Sequence, residues 1–125
     1  MKKIILLTVL CFAYIAILGC SKNQADDYTS NVDCTNVVAA TNTYDGSIKT
    51  IVDASCAYTG CHSASSAESG VDLSTFAKVK DEFTNGNSLC TIYHDCEAMP
   101  KGTAKLSDAI ITQITCWVKE GCPQS

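Results

Sequence analysis

Three side chains close together could do chemistry as a set. They are the thiols of Cys56 and Cys61 and the imidazole of His62, in the run Cys56-Ala57-Tyr58-Thr59-Gly60-Cys61-His62. Two thiols can add to the two vinyl groups of a haem, and a histidine directly after the second thiol brings an imidazole to the iron. Cys-x-x-Cys-His is the usual form of that arrangement. Here the spacing is Cys-x-x-x-x-Cys-His. The longer loop must bulge, and Gly60 beside Cys61 has the backbone freedom to let it.

An iron held this way takes a second axial ligand, a thioether or an imidazole, and methionine paired with histidine raises the reduction potential. Met1 and Met99 are the two methionines of the chain. Met99 stands in Met99-Pro100-Lys101-Gly102, which cannot be helix interior because proline lacks an amide hydrogen and glycine is flexible. We therefore expect Met99 as the distal ligand. Its plain alternative is to pack as a small apolar plug. His94, the other histidine besides His62, is the rival distal ligand. A bis-histidine pair would lower the potential, although a lone histidine between Tyr93 and Asp95 is more often a surface group.

The elements that must position these residues are short helices. Asp45-Gly46-Ser47 reads as a turn and cap, with Ile48, Ile51 and Val52 at helical spacing leading into Cys56. Gly70-Val71-Asp72-Leu73 reads as extended. Ser74 is the expected cap of a second helix carrying Phe76, Val79 and Phe83 on one face, ended by Asn85-Gly86-Asn87. Leu89, Ile92 and Tyr93 suggest a further helical turn. Ser107 is the expected cap of the longest helix, whose stripe is Ile110, Ile111, Ile114, Trp117 and Val118, with Gly121 and Pro123 stopping it. The expected fold is all-α, three or four short helices. Its aliphatic core is thin for the length, which fits a core completed by a flat apolar cofactor.

The start of the chain looks removable. Met1-Lys2-Lys3 is positive, Ile4 to Leu18 is almost wholly apolar, and Ile17-Leu18-Gly19-Cys20 closes the run. That pattern reads as a secretory signal, and its end is similar to the bacterial lipoprotein cleavage box. The similarity implies cleavage before Cys20, lipid on Cys20, and an exported chain anchored to a bacterial membrane. Residues 20–44, rich in Asn, Thr and Asp, then read as a flexible tether, with Val37-Val38-Ala39-Ala40 as an apolar patch that could dock on the domain. Residues 45–125 form the expected domain. After removal of residues 1–19, seven lysines face thirteen acids, for a net charge of −6, and the chain has no arginine. Phosphate binding needs clustered positive charge, so nucleic acid is a poor partner. Seven cysteines follow Cys20, and an oxidising compartment permits disulfides among them.

The segment from about Asp45 to Pro123 resembles the bacterial monohaem cytochrome c domain, particularly lipoprotein forms with a widened attachment motif. The resemblance rests on five stretches in order. These are Ile48 through Cys56, Gly60-Cys61-His62-Ser63, Gly70 through Phe76, Met99-Pro100-Lys101-Gly102, and Leu106-Ser107 leading to Trp117-Val118-Lys119-Glu120-Gly121. It implies haem thioethers at Cys56 and Cys61, a proximal iron ligand at His62 and a distal one at Met99. It also implies crossed first and last helices, with Ile51 and Val52 against Ile114 and Trp117. This sequence departs from the family in Cys90, Cys96, Cys116 and Cys122. We expect two disulfides among these four, fastening the Met99 loop to the last helix and leaving Cys34 over. Two local bridges, Cys90 to Cys96 and Cys116 to Cys122, are the other arrangement considered.

The expected function is electron transfer by a covalently bound haem c, its iron ligated on both sides. No small-molecule substrate or enzymatic acid/base pair is then required, and the partner is a redox protein. Lys78, Lys80, Lys101 and Lys105 flank the expected distal side and are candidates to steer an acidic partner. The alternatives are a zinc or other metal site built from Cys56, Cys61, His62 and either Cys96 or His94, and a haem-free binding lipoprotein in which Cys56 and Cys61 form a disulfide.

Overall fold

A computed structural model describes residues 24 to 125. The signal segment and Cys20 lie outside the described residues. Within them the chain is helical and contains no strand.

The last helix organises the rest. Ser107 adopts extended backbone angles and its hydroxyl accepts from the Ile110 amide, which starts the helix Asp108–Lys119. Asp108 in the first turn and Lys119 in the last both complement the helix dipole. Ile111, Ile114, Trp117 and Val118 are buried, with Ile110 at the edge of the same cluster. Gly121 has φ +83° and donates its amide to the Val118 carbonyl, and the Cys122 amide returns to Trp117 O. A left-handed residue just past the last turn is the usual way to satisfy those carbonyls, and glycine takes it without a Cβ clash. The chain then folds back over the helix it has just left. The Trp117 indole donates to Pro123 O at 2.9 Å, and that carbonyl also accepts the Tyr44 amide.

We number the regular α-helices α1 (Gln24–Thr29), α2 (Lys49–Ser55), α3 (Phe76–Asn85), α4 (Ser88–Tyr93) and α5 (Asp108–Lys119). A π-type turn, Tyr44–Ile48, runs directly into α2, and its cap is Thr43, whose hydroxyl accepts from Gly46 N, rather than Ser47. Ser47 instead points its hydroxyl inward, where it has no partner. Helix α3 starts one residue later than expected, with Thr75 rather than Ser74 as cap, because Ser74 is taken up in a turn in which its amide donates to Asp72. Val79 and Phe83 are buried on the inner face of α3, and Leu89 and Ile92 on that of α4. Trp117 sits fully buried between Tyr44 and Phe83, edge-on to Phe83 at a centroid distance of 6.4 Å. Val52, Ile114 and Trp117 share one core, and Ile51 lies at its margin.

The expected tether is a correction for residues 24–44. Helix α1 packs on α3, α4 and α5. Ala25 is buried, and Tyr28, one position further along the same helical face, stacks on Tyr93 at 4.6 Å. Beyond α1 the chain covers the side of α5 that carries Gln113, Cys116 and Lys119. Asn42 donates to Gln113 O, Lys119 donates to Val32 O, and Cys34 is bonded to Cys116. These three positions repeat at helical spacing, so they form one face. Val38, however, is 67% exposed, so the patch expected to dock does not do so through Val38.

The disulfides also differ from the preferred expectation. The bridges are Cys34–Cys116 and Cys90–Cys96, with Cα separations of 5.8 and 5.6 Å. Neither fastens the Met99 loop to α5. Cys116 does point away from the apolar stripe, but the segment preceding Cys34 and following it covers that side, so Cys34 is its partner. Cys122 keeps a buried thiol, pushed up to about 11 by burial.

Candidate cofactor site

Helix α2 ends at Cys56, whose amide, like that of Ala57, donates to Val52 O. The loop that follows closes on itself. His62 N–H donates to Cys56 O at 3.0 Å and Cys61 N–H to Tyr58 O at 3.0 Å. Gly60 holds φ +88° in the bulge and its amide is taken by Ser66 Oγ at 2.7 Å. A Cβ at Gly60 would meet nothing within 4 Å, so the requirement there is conformational rather than steric crowding. The widened spacing is thus accommodated by a closed, hydrogen-bonded loop. Cys56 and Cys61 are both unbridged and half-buried. Burial, then the neighbouring Cys61, pushes the Cys56 thiol up to about 11, so it stays protonated at neutral pH.

The segment after the loop fixes His62. Leu73 N–H donates to His62 O at 2.8 Å, and Leu73 is buried. The imidazole Nδ1 lies 3.1 Å from Val71 O. A carbonyl can only accept, so Nδ1 is the donor, and in the neutral ring Nε2 is left with its lone pair. That is the tautomer and the orienting contact that a metal-binding histidine needs.

Two adjoining cavities of about 250 and 340 Å³ share Cys56, His62 and Met99 in their walls. The first has Val71, Leu73, Phe83 and Ile92 along part of its wall and Glu82, Asn87, Ser88, Thr91 and Glu97 along the rest, and the second reaches Cys61 and Pro100 together with Glu68 and Lys101. Cavities of this size, apolar on one part of the wall with polar groups beside it, suit a small-molecule or cofactor site. The residues therefore fit a covalent haem on three counts. Both thiols border one space, an imidazole with its Nε2 lone pair lines it, and a thioether lines it as well.

Met99 and His94 are separated by the structure. Met99 borders both cavities and His94 borders neither. His94 terminates α4 in a left-handed conformation, φ +67°. Its Nε2 lies 3.1 Å from Met99 O, so that nitrogen carries the hydrogen and donates it. Among the described residues no group of three or more His, Cys, Asp or Glu side chains is placed to hold a metal ion. Cys96 is consumed by its bridge to Cys90, which removes it from the alternative zinc set.

The lysines proposed to steer a partner are all engaged within the chain. Lys78 pairs with Asp72 at 2.6 Å and Lys101 with Glu97 at 2.9 Å. Lys80 lies over Phe76 at 6.0 Å from the ring centre and Lys105 over Tyr93 at 5.9 Å. Among the described residues no helix is long and apolar enough to cross a membrane.

Asp72 ties the His62 support to α3. Its carboxylate accepts from Lys78 and from Ser74, and these contacts hold it at about 2, below the ordinary 3.8. A depressed carboxylate stabilises the fold above its unfolded value, and that contribution is lost as pH falls through the folded value. The contribution of Asp72 is therefore complete above about pH 4 and disappears toward about pH 2. Carboxyl NMR titration of the native chain should place its midpoint near 2; a midpoint at 3.8 would show that these contacts do not hold in solution.

Sequence reasoning did not find the Val71 carbonyl, which orients His62, or Thr91, whose carbonyl accepts the Met99 amide at 3.1 Å. Backbone groups leave no mark in residue type. Phe83 and Ile92 were legible as apolar helix positions, but helical spacing does not distinguish a neighbour-facing residue from a cavity wall. Comparison with protein-family models, with curated proteins and with solved structures gave no significant match.

Proposed function

We propose that this chain is an electron-transfer c-type cytochrome with one covalent haem. Thioethers from Cys56 and Cys61 would hold the group, His62 Nε2 would be the proximal ligand and Met99 Sδ the distal one. The observation that carries the reading is the contact of His62 Nδ1 with Val71 O at 3.1 Å. Val71 O takes the Nδ1 hydrogen, and the remaining lone pair belongs to a side chain lining the space that both cysteines and Met99 also border.

When bound, the haem supplies one-electron chemistry. The chain's own residues do the rest. Val71 holds the imidazole in one tautomer and orientation. Leu73, Phe83 and Ile92 would set apolar surface against the group, which shapes its potential. With His62 and Met99 both taken as ligands, no coordination position is left for a substrate, so the role is that of a carrier and not an enzyme. The partner is a redox protein. Lipid on Cys20 would keep the carrier at a membrane on the exported side.

The full chain, expressed with a haem-maturation system, should give sharp α and β bands on reduction, and the colour should survive acid–acetone extraction. A colourless chain, with or without zinc, would overturn the reading, and so would haem that the solvent removes.

A further inference from the structure

We infer that His94 is a positioning residue for Met99, an inference that rests on the cytochrome reading above. The segment between α4 and Met99 is held at three places. Cys90 in α4 is bonded to Cys96. The Met99 amide donates to Thr91 O at 3.1 Å. The His94 Nε2–H donates to Met99 O at 3.1 Å. The last two contacts take both backbone polar groups of Met99, so the direction in which its side chain leaves the backbone is fixed from both ends.

His94 is suited to this work by its place as well as its ring. It caps α4 with φ +67°, and its own amide returns to Thr91 O at 3.2 Å. Histidine is among the few non-glycine residues enriched in the left-handed region. The same backbone turn that ends α4 thus throws the imidazole forward onto residue 99. His94 is half-buried and borders neither cavity. It acts through the Met99 carbonyl and does not itself supply the ligand. The weak net worth of one hydrogen bond is enough to matter here, because a thioether is a weak axial ligand and its geometry sets the potential.

The test uses the haem-loaded full chain, read by its weak red-end ferric absorption and its midpoint potential. His94→Gly removes the donor without adding strain in the left-handed backbone, and a Gln variant separates the lost hydrogen bond from the added backbone freedom. We expect His94→Gly to weaken the red-end band and lower the potential in the direction of Met99→Ala, which abolishes the band. His94→Gln, whose amide can donate over a similar reach, should restore part of both. A His94→Gly protein with wild-type band and potential would overturn the positioning role while leaving the cytochrome reading intact. A wild type that lacks the band, with Met99→Ala unchanged and His94→Gly altered, would make His94 the ligand, overturning this inference and the Met99 assignment while leaving covalent haem attachment intact. A chain that takes up no covalent haem would overturn both.

Discussion

Cys34→Ala combined with Cys116→Ala should cost about 4.5 kcal/mol of stability. The bridge closes a loop of 82 residues, and the chain-entropy account of cross-linking gives about that value for a loop of this length. The same account gives only about 2 kcal/mol for Cys90–Cys96, which closes a separation of 6. The two variants should therefore differ in urea midpoint, with the long-loop variant falling further. The native interactions at risk are also unequal. Without the long bridge, segment 32–42 is held on α5 by Lys119 to Val32 O and Asn42 to Gln113 O, and the first of these is exposed. Limited proteolysis should then cut the double variant ahead of the π-type turn while the wild type resists. Equal urea midpoints for the two disulfide variants would show that native packing, not loop closure, holds the N-terminal segment.

Trp117→Ala should cost about 3–5 kcal/mol, the usual range for emptying a buried tryptophan site. Domains of this size hold only about 5–15 kcal/mol in total, so the variant should be close to unfolding at physiological temperature. The reasons are specific. Trp117 is 0% exposed, touches Tyr44 and Phe83, and donates its indole hydrogen to Pro123 O. Trp117→Phe separates the contributions. It keeps most of the ring but loses the donor, and Pro123 O retains the Tyr44 amide. Its cost should be nearer about 1 kcal/mol, the net worth of one such hydrogen bond. Thermal unfolding followed by circular dichroism gives the order. A Phe variant as unstable as the Ala variant would mean that the indole hydrogen bond, rather than ring volume, dominates at this position.

The helices α3 to α5 were legible in the sequence because each carries its apolar stripe at helical spacing, and α3 and α5 also have an oxygen-bearing cap beside it. The caps moved by a residue or more where two candidates competed. Thr75 displaced Ser74 because Ser74 is drawn into the Asp72 turn. Thr43 displaced Ser47 because the turn before α2 is of π type and begins earlier. Helix α1 was not legible. Six residues give one buried position, Ala25, and no period can be read from that. What holds α1 is tertiary, a Tyr28–Tyr93 stack and a hydrogen bond from Tyr28 to Asp95 across 67 residues of sequence. The Cys34–Cys116 pairing was equally hidden, since it follows from which side of α5 the preceding segment covers, whereas the local Cys90–Cys96 bridge was among the arrangements the spacing offered. At the candidate site the side chains were legible and their support was not. Cys56, Cys61, His62 and Met99 are distinctive residue types, whereas Val71 O and Thr91 O act through the backbone. His94 was legible as a residue of interest, and only its hydrogen bond shows what it contacts.

The docking of α1 shortens the leash. Had residues 20–44 been slack, a fully extended chain of that length would have let the domain range some 80 Å from its anchor, at roughly 3.3–3.6 Å per residue. With Gln24 already part of the folded body, the lipid proposed on Cys20 would leave about four residue steps, a reach of about 14 Å. A carrier anchored in the way proposed would not swing out to meet a soluble partner at a distance. Its exchange would be confined to proteins that work at the membrane surface, and the direction in which it presents Met99 and Cys61 would be set by how α1 rests against the rest of the fold.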